Sequence, residues 1–183
     1  MEPAPVLLTA RLHLRPHRPE DFPDCVAMWG DPTVVRFIGG RPFTAEEVWA
    51  RLLRYAGHWA WMGFGYWAVE ERATGRFVGE IGFADFRRDV DPPFGGAPEL
   101  GWVLAAHAHG KGYATEGALA AVAWGDARLH ALRTVCMIDP DNAASLRVAD
   151  KIGFREYART TYKGTATILL ERAGAAPRDR PGD

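Results

Sequence analysis

Leu12 and Leu14 alternate with Arg11, His13 and Arg15 near the start of the chain, which is the two-residue period of a half-buried strand, and Pro16 and Pro19 end the pattern. A helix is expected next, from about Glu20 to Trp29. Gly39, Gly40 and Pro42 mark a loop, after which Thr44-Ala45-Glu46-Glu47 has the spacing of a reciprocal cap that opens a helix. Val48, Leu52, Leu53 and Tyr55 continue that helix at apolar spacing. Strands at Tyr66 to Glu70 and Phe77 to Phe83 flank the turn at Ala73-Thr74-Gly75 and form an antiparallel meander. Asp89, Asp91, Pro92, Pro93, Gly95 and Gly96 make Arg87 to Pro98 a loop, and a strand follows from Glu99 to Leu104.

From Thr115 the residues Ala118, Leu119, Val122 and Ala123 recur at helical spacing, in an alanine-rich stretch that favours helix over strand. Val135 to Ile138 reads as a short strand and Asn142 to Ile152 as a helix closed by Gly153 in the left-handed conformation. Phe154 onward returns to strand, with Tyr162 and Ile168 to Leu170 in a closing hairpin. The tail from Ala173 has Gly, Pro, Arg and Asp but no apolar face to bury, so the folded unit is expected to be one domain over residues 1–172, with 173–183 a flexible end. At 183 residues and 48% apolar composition, one core of ordinary size is available.

Charge narrows the partners. Twenty-two basic and 23 acidic side chains leave a formal charge of -1, so nothing announces a surface that seeks nucleic acid. Cys25 and Cys136 fall in a helix and a distant strand and are expected to be buried thiols in a reducing compartment. The first ten residues lack a basic segment followed by a long apolar one, and nowhere do about 18 apolar residues run together. A cytoplasmic protein that does not enter the membrane is the expectation.

The stretch with most chemistry is the strand Glu99-Leu100-Gly101-Trp102-Val103-Leu104, which feeds His109-Gly110-Lys111-Gly112-Tyr113-Ala114-Thr115-Glu116 and the following helix. Glycines let the backbone approach a ligand closely, while the free amides and dipole of a helix start favour a phosphate. Two rival phosphate motifs do not fit. No Lys-Ser or Lys-Thr closes a long glycine loop, and the third glycine of a dinucleotide fingerprint is missing.

Gly110 to Glu116 reads Gly-Lys-Gly-Tyr-Ala-Thr-Glu, and further on stand Asn142, Ser145, Lys151, Gly153 and Phe154 in the pattern Asn-x-x-Ser followed by Lys-x-Gly-Phe. With Thr9-Ala10-Arg11-Leu12, Asp31-Pro32 and Gly79 to Gly82, these motifs run from about Leu8 to Glu171, and in them the chain resembles the GNAT N-acetyltransferase superfamily, specifically its RimJ/RimL-type branch. The resemblance implies an α+β fold, with a mostly antiparallel twisted sheet of about six to seven strands flanked by about four helices and splayed at the acetyl-CoA site. It implies acetyl-CoA as co-substrate, bound by Trp102, Val103 and Leu104 on the strand, by His109, Gly110, Lys111, Gly112, Tyr113 and Ala114 in the loop, and by Asn142. His109 stands where the branch usually has Gln or Arg. A homodimer is compatible with the resemblance.

Acetyl transfer needs a neutral amine, a polarised carbonyl and a proton for the departing thiolate. A lysine-like amine costs about 4 to 5 kcal/mol to deprotonate at pH 7 and an α-amine about 1, so an α-amine asks less of a base. Glu99 and Glu80, on neighbouring strands, are the candidate bases. Ser145, or water, is the candidate acid, since Ala149 stands where many GNAT enzymes carry a tyrosine. Glu116, in the first turn of the loop helix, is read as structural. Phe37, Phe43 and Trp59 are the candidate acceptor wall, in a chain where most rings are expected to pack in the core. No pair of histidines has metal-ligand spacing, so no metal is expected. Three acceptor readings remain: a peptide or protein N-terminal α-amine, a small amine such as an aminoglycoside or polyamine, or none at all in a non-catalytic acyl-CoA sensor.

Overall fold

Strand β1 (Leu7–Leu8) pairs with β2 (Leu12–Arg15), whose alternation buries Leu12 and Leu14 fully, as the pattern predicts. Helix α1 (Phe22–Trp29) starts two residues later than expected, because Pro19–Asp21 forms a separate 3-10 turn. Asp31 accepts the Thr33 amide at 2.8 Å and opens α2 (Pro32–Val35), a helix too short to show periodicity. The expected reciprocal cap opens α3 (Ala45–Met62): Thr44 Oγ1 accepts the Glu47 amide at 3.2 Å and Glu47 Oε2 accepts the Thr44 amide at 2.8 Å.

The meander follows as β3 (Tyr66–Glu71), β4 (Phe77–Ala84) and β5 (Glu99–Leu104). Then come α4 (Tyr113–Arg128), β6 (Arg133–Ile138), α5 (Ala143–Lys151), β7 (Arg155–Tyr162) and β8 (Thr165–Ala173). The computed structural model describes residues 4–129, 131 and 133–174; of the expected tail, residues 175–183 lie outside it. Ala173, placed in the tail by composition, ends the last strand.

One sheet joins all eight strands in the order β1-β2-β3-β4-β5-β6-β8-β7, antiparallel except where β5 meets β6. It has one or two strands more than the resemblance implies, and five α-helices in place of about four. β1 and α2 are the additions, both too short for a sequence period to reveal. Successive side chains on a strand go to opposite faces, and Tyr66 and Trp67 divide accordingly. Trp67, Ile81, Phe83 and Leu100 pack with α4 on one side, and Tyr66 and Ala68 pack with α1 and α3 on the other. Cys25 and Cys136 are buried and unpaired, one on each side. Among the described residues, no helix is long and apolar enough to cross a membrane.

Candidate active site

The parallel strands β5 and β6 meet in a single register pair, Glu99 with Val135, where the Val135 amide donates to Pro98 O at 3.0 Å. Beyond it they diverge around a cleft of about 420 Å³. Gly101, Trp102 and Val103 form one wall, and Met137 to Asp139 with Asn142 and Ser145 form the other. Trp29, Phe37 to Gly39, Arg51 and Tyr55 close the end towards α3, and Tyr162 and Lys163 reach in from the β7–β8 turn.

Which peptide groups of β5 face this cleft follows from the two-residue period of a strand. Ala105 donates its amide to Val78 O of β4 at 3.0 Å, so the odd-numbered residues turn their peptide groups towards β4. The even-numbered residues turn theirs towards β6, as the Pro98 carbonyl shows. The amide and carbonyl of Trp102 therefore face the gap. His109 Nε2 lies 2.8 Å from the Leu104 carbonyl on that same side, so the residue that departs from the family pattern closes off the last carbonyl of the strand. Glycine is required at 101, because a Cβ there would fall on the Tyr66 hydroxyl, which crosses beneath β5.

The glycine loop lies at the surface past the end of β5, and Gly110, Lys111 and Gly112 are exposed. Gly112 caps α4 with φ 80°, a left-handed conformation that side chains rarely adopt, so α4 begins two residues earlier than expected. A Cβ on Gly110 would meet nothing within 4 Å, and Lys111 adds an exposed cation, so the loop fits an incoming phosphate. Its frame is held from the far side. Glu116 accepts from the Arg11 amide at 2.8 Å, from Arg11 Nε at 2.7 Å and from Thr9 Oγ1 at 2.6 Å, while Arg11 donates to Lys111 O at 2.9 Å. These bonds make Glu116 part of the loop's frame. Burial alone would raise its carboxyl, but the bonds from Thr9 and Arg11 outweigh that and hold it below the ordinary carboxylate range. The side chains of Leu104, Tyr113 and Ala114 pack into the core beside α4, with the Tyr113 hydroxyl donating to Glu71, so these residues offer a ligand only their backbone.

The two candidate bases occupy different surroundings. Glu99 lines the cleft but is gripped by Arg88, with Nε 2.5 Å from Oε2 and a second guanidinium nitrogen 2.8 Å from Oε1. Burial works against the Arg88 charge, yet Glu99 outweighs it and raises the guanidinium pKa. Arg88 also donates to the Tyr162 hydroxyl at 3.2 Å. Glu80 is fully buried and does not line the cleft. Its Oε2 accepts from Trp29 Nε1 at 3.0 Å and from the Tyr55 hydroxyl at 3.2 Å, and its Oε1 accepts from Cys25 Sγ at 3.3 Å. Glu80 therefore reaches the cleft through Trp29 and Tyr55.

His17 lies 3.9 Å from Glu80 Oε1, and with Cys25 these residues form the one group among those described whose ligand atoms gather within 4.8 Å. The scattered histidines of the sequence gave no hint of it. Burial pushes the Cys25 thiol up, so it keeps its proton and donates to Glu80, and burial lowers the His17 imidazole, neither of whose ring nitrogens has a hydrogen-bond partner.

On the opposite wall Asn142 Oδ1 caps α5 by accepting the Ser145 amide at 3.1 Å, and both residues line the cleft. Ala149 is fully buried in the core, and the phenols of this cleft are Tyr55, Tyr66 and Tyr162, the last of which the sequence offered only as part of a hairpin. Of the three aromatic candidates, Phe37 lines the cleft. Phe43 packs edge-on against Trp29 one layer behind, and Trp59 lies on the other face of the sheet against Trp67 and Trp124. Arg51, Arg88 and Tyr162 were missed because no motif carries them. The one available signal was their charge and hydroxyl chemistry beside aromatic residues.

The family described as acetyltransferase (GNAT) domain matches residues 11–155. YkkB, an uncharacterized protein of Bacillus subtilis, is 30% identical over 168 residues, covering 90% of this chain and 92% of its own. A GnaT-family acetyltransferase from Bordetella pertussis superposes with a TM-score of 0.82 at 34% identity, over 92% of this chain and 99% of the other. The ribosomal L7/L12 α-N-protein acetyltransferase RimL, solved in complex with coenzyme A, shares the fold with a TM-score of 0.74 at 15% identity, over 92% and 98%. On this match, and with the sheet parted between β5 and β6, the chain belongs to the GNAT acetyltransferases, in their RimJ/RimL-like branch, and is an N-acetyltransferase.

Proposed function

We propose that the enzyme takes its acetyl group from acetyl-CoA and transfers it directly to an α-amine, at the N-terminus of a peptide or protein. The observation that carries this is the cleft between β5 and β6, where strand peptide groups face a capped helix start and the glycine loop stands at the strand's end. Acetyl-CoA supplies the activated acyl group. The loop amides at 110–114 hold its pyrophosphate, and Asn142 stands beside its amide-bearing arm. The Trp102 amide faces the gap and stabilises the negative charge that develops on the acyl oxygen. Ser145 gives a proton to the thiolate, and Tyr162 is another hydroxyl on the cleft lining.

Glu99 accepts the amine proton through water, since both of its oxygens are held by Arg88. A base so engaged suits an α-amine better than a lysine, because only about 1 kcal/mol is needed to present the neutral form at pH 7. Polyamine and aminoglycoside acceptors fit less well. Of the carboxylates on the cleft wall, Glu99 is neutralised by Arg88, and Asp139 Oδ1 accepts the Asp141 amide at 2.8 Å.

The test is thiol release from acetyl-CoA with peptides of free N-terminus, an aminoglycoside and spermidine as acceptors. Release with peptides alone is expected. Release with spermidine or the aminoglycoside alone would move the acceptor to a small polycation.

A further inference from the structure

The end of the cleft nearest α3 carries a cation with donors to spare. Arg51 lines the cleft, and its guanidinium carbon lies 3.9 Å above the Trp29 ring and 5.0 Å from the Phe43 ring. One of its terminal nitrogens donates to the Tyr55 hydroxyl at 3.3 Å, but its Nε is buried without a hydrogen-bond partner. Among the described residues, no carboxylate lies within ion-pair distance of it, whereas Arg15, Arg88 and Arg172 are each matched to an acid by two or more bonds. A buried guanidinium donor without an acceptor is costly, and a fork stacked on an aromatic ring is preorganised for a planar anion.

We infer that the acceptor carries a side-chain carboxylate beside its α-amine, and that Arg51 binds it in the plane of its guanidinium while the amine lies toward Trp102 and Ser145. This rests on the acetyl-transfer reading of the cleft and narrows it to acidic acceptors: an acidic amino acid, or a peptide whose first residue is Asp or Glu. Elsewhere on the cleft lining, Lys163 is a second cation, the Arg88–Glu99 pair cancels itself, and Asp139 is an acid whose Oδ1 accepts the Asp141 amide; Glu80 lies beneath Tyr55 with both oxygens occupied. Trp29, Phe37 and Ile38 supply the apolar surroundings in which a charge-assisted bond to Arg51 gains strength.

Matched acceptors decide the question: aspartate and glutamate against asparagine and glutamine, and hexapeptides beginning with Asp or Glu against the same peptides beginning with Asn or Gln. Each is titrated into coenzyme A-loaded enzyme by tryptophan fluorescence, with Trp29 under Arg51 as reporter, and assayed for kcat and KM. An acid-over-amide preference of about tenfold to a hundredfold is expected, seated in KM, abolished in Arg51→Gln and partly kept in Arg51→Lys. The amino acids and the hexapeptides separate a small-molecule acceptor from a chain terminus. Equal binding of acid and amide by the wild-type enzyme overturns the inference even if both variants fail to fold, and so does a preference that survives in a folded Arg51→Gln. Should the preference appear in binding while no acceptor releases thiol, the carboxylate site stands and the acceptor proposed for the transfer falls.

Discussion

Two regions beside β5 are built from different parts. Past its C-terminal end, the loop at 109–116 presents backbone: amides at a helix start, a glycine that caps α4, and a frame fixed from outside by Arg11 and Glu116. On the α3 side of the strand, the cleft wall presents side chains drawn from four separate segments, with Trp29, Phe37, Arg51 and Tyr162 converging on one cleft. Recognition by backbone writes itself as a contiguous motif, because neighbouring peptide groups must share one conformation. Recognition by side chains leaves no such record, because any element that passes nearby can contribute a group.

The largest effect that would break this contrast is at Gly112. Gly112→Trp places a bulky side chain at φ 80° in the loop, and affinity for coenzyme A is expected to fall by about a hundredfold or more while the wall near α3 keeps its structure. Calorimetric titration alongside the melting temperature checks it. Unchanged affinity in a folded variant removes the loop from the account.

Next in size is Glu80→Ala, which leaves Trp29 Nε1, the Tyr55 hydroxyl and the Cys25 thiol without their shared acceptor. A loss of about 2 kcal/mol in urea unfolding is expected, with coenzyme A affinity retained by the protein that remains folded. A fall in affinity matching that of Gly112→Trp would show that the two regions are not separable.

The smallest effect is at Glu116. Its carboxyl sits below the ordinary range in the folded protein, so its contribution is fully present above about pH 4.5 and is lost as pH falls through the depressed value. Glu116→Gln is expected to cost about 1 kcal/mol at pH 7 and to lose that difference from wild type in acid, as followed by thermal unfolding from pH 7 to pH 3. A difference independent of pH would mean that the shape of the side chain, not its charge, holds the loop.

The strands and long helices were legible because period and capping are local: Thr44 and Glu47 form the cap that their spacing announces, and Leu12 and Leu14 go inside as their alternation requires. The loop was legible for the same reason. What the sequence concealed was contact between segments. Glu80 and Glu99 look alike as acids on adjacent strands, yet one is buried beneath Trp29 and Tyr55 and the other is held by Arg88 from the loop that follows β4. Trp59 and Phe43 belong to the same aromatic stretch of sequence as the cleft residues, but helical and strand phase send them elsewhere. Tyr162 was hidden by distance, reaching the cleft from the last hairpin while Ala149 in α5 packs away into the core.

A sheet parted at its middle has an unusual mechanical standing. β1 to β5 and β6 to β8 meet at one register pair, and the bidentate Arg172–Asp126 contact, both distances 2.7 Å, ties the second group to α4. A ligand whose own amides bond to the exposed peptide groups of β5 acts as a missing strand, and the plate becomes continuous only while that strand is present. For acetyl-CoA bound as proposed, part of the protein's cohesion comes from solution, and its rigidity is a function of co-substrate concentration.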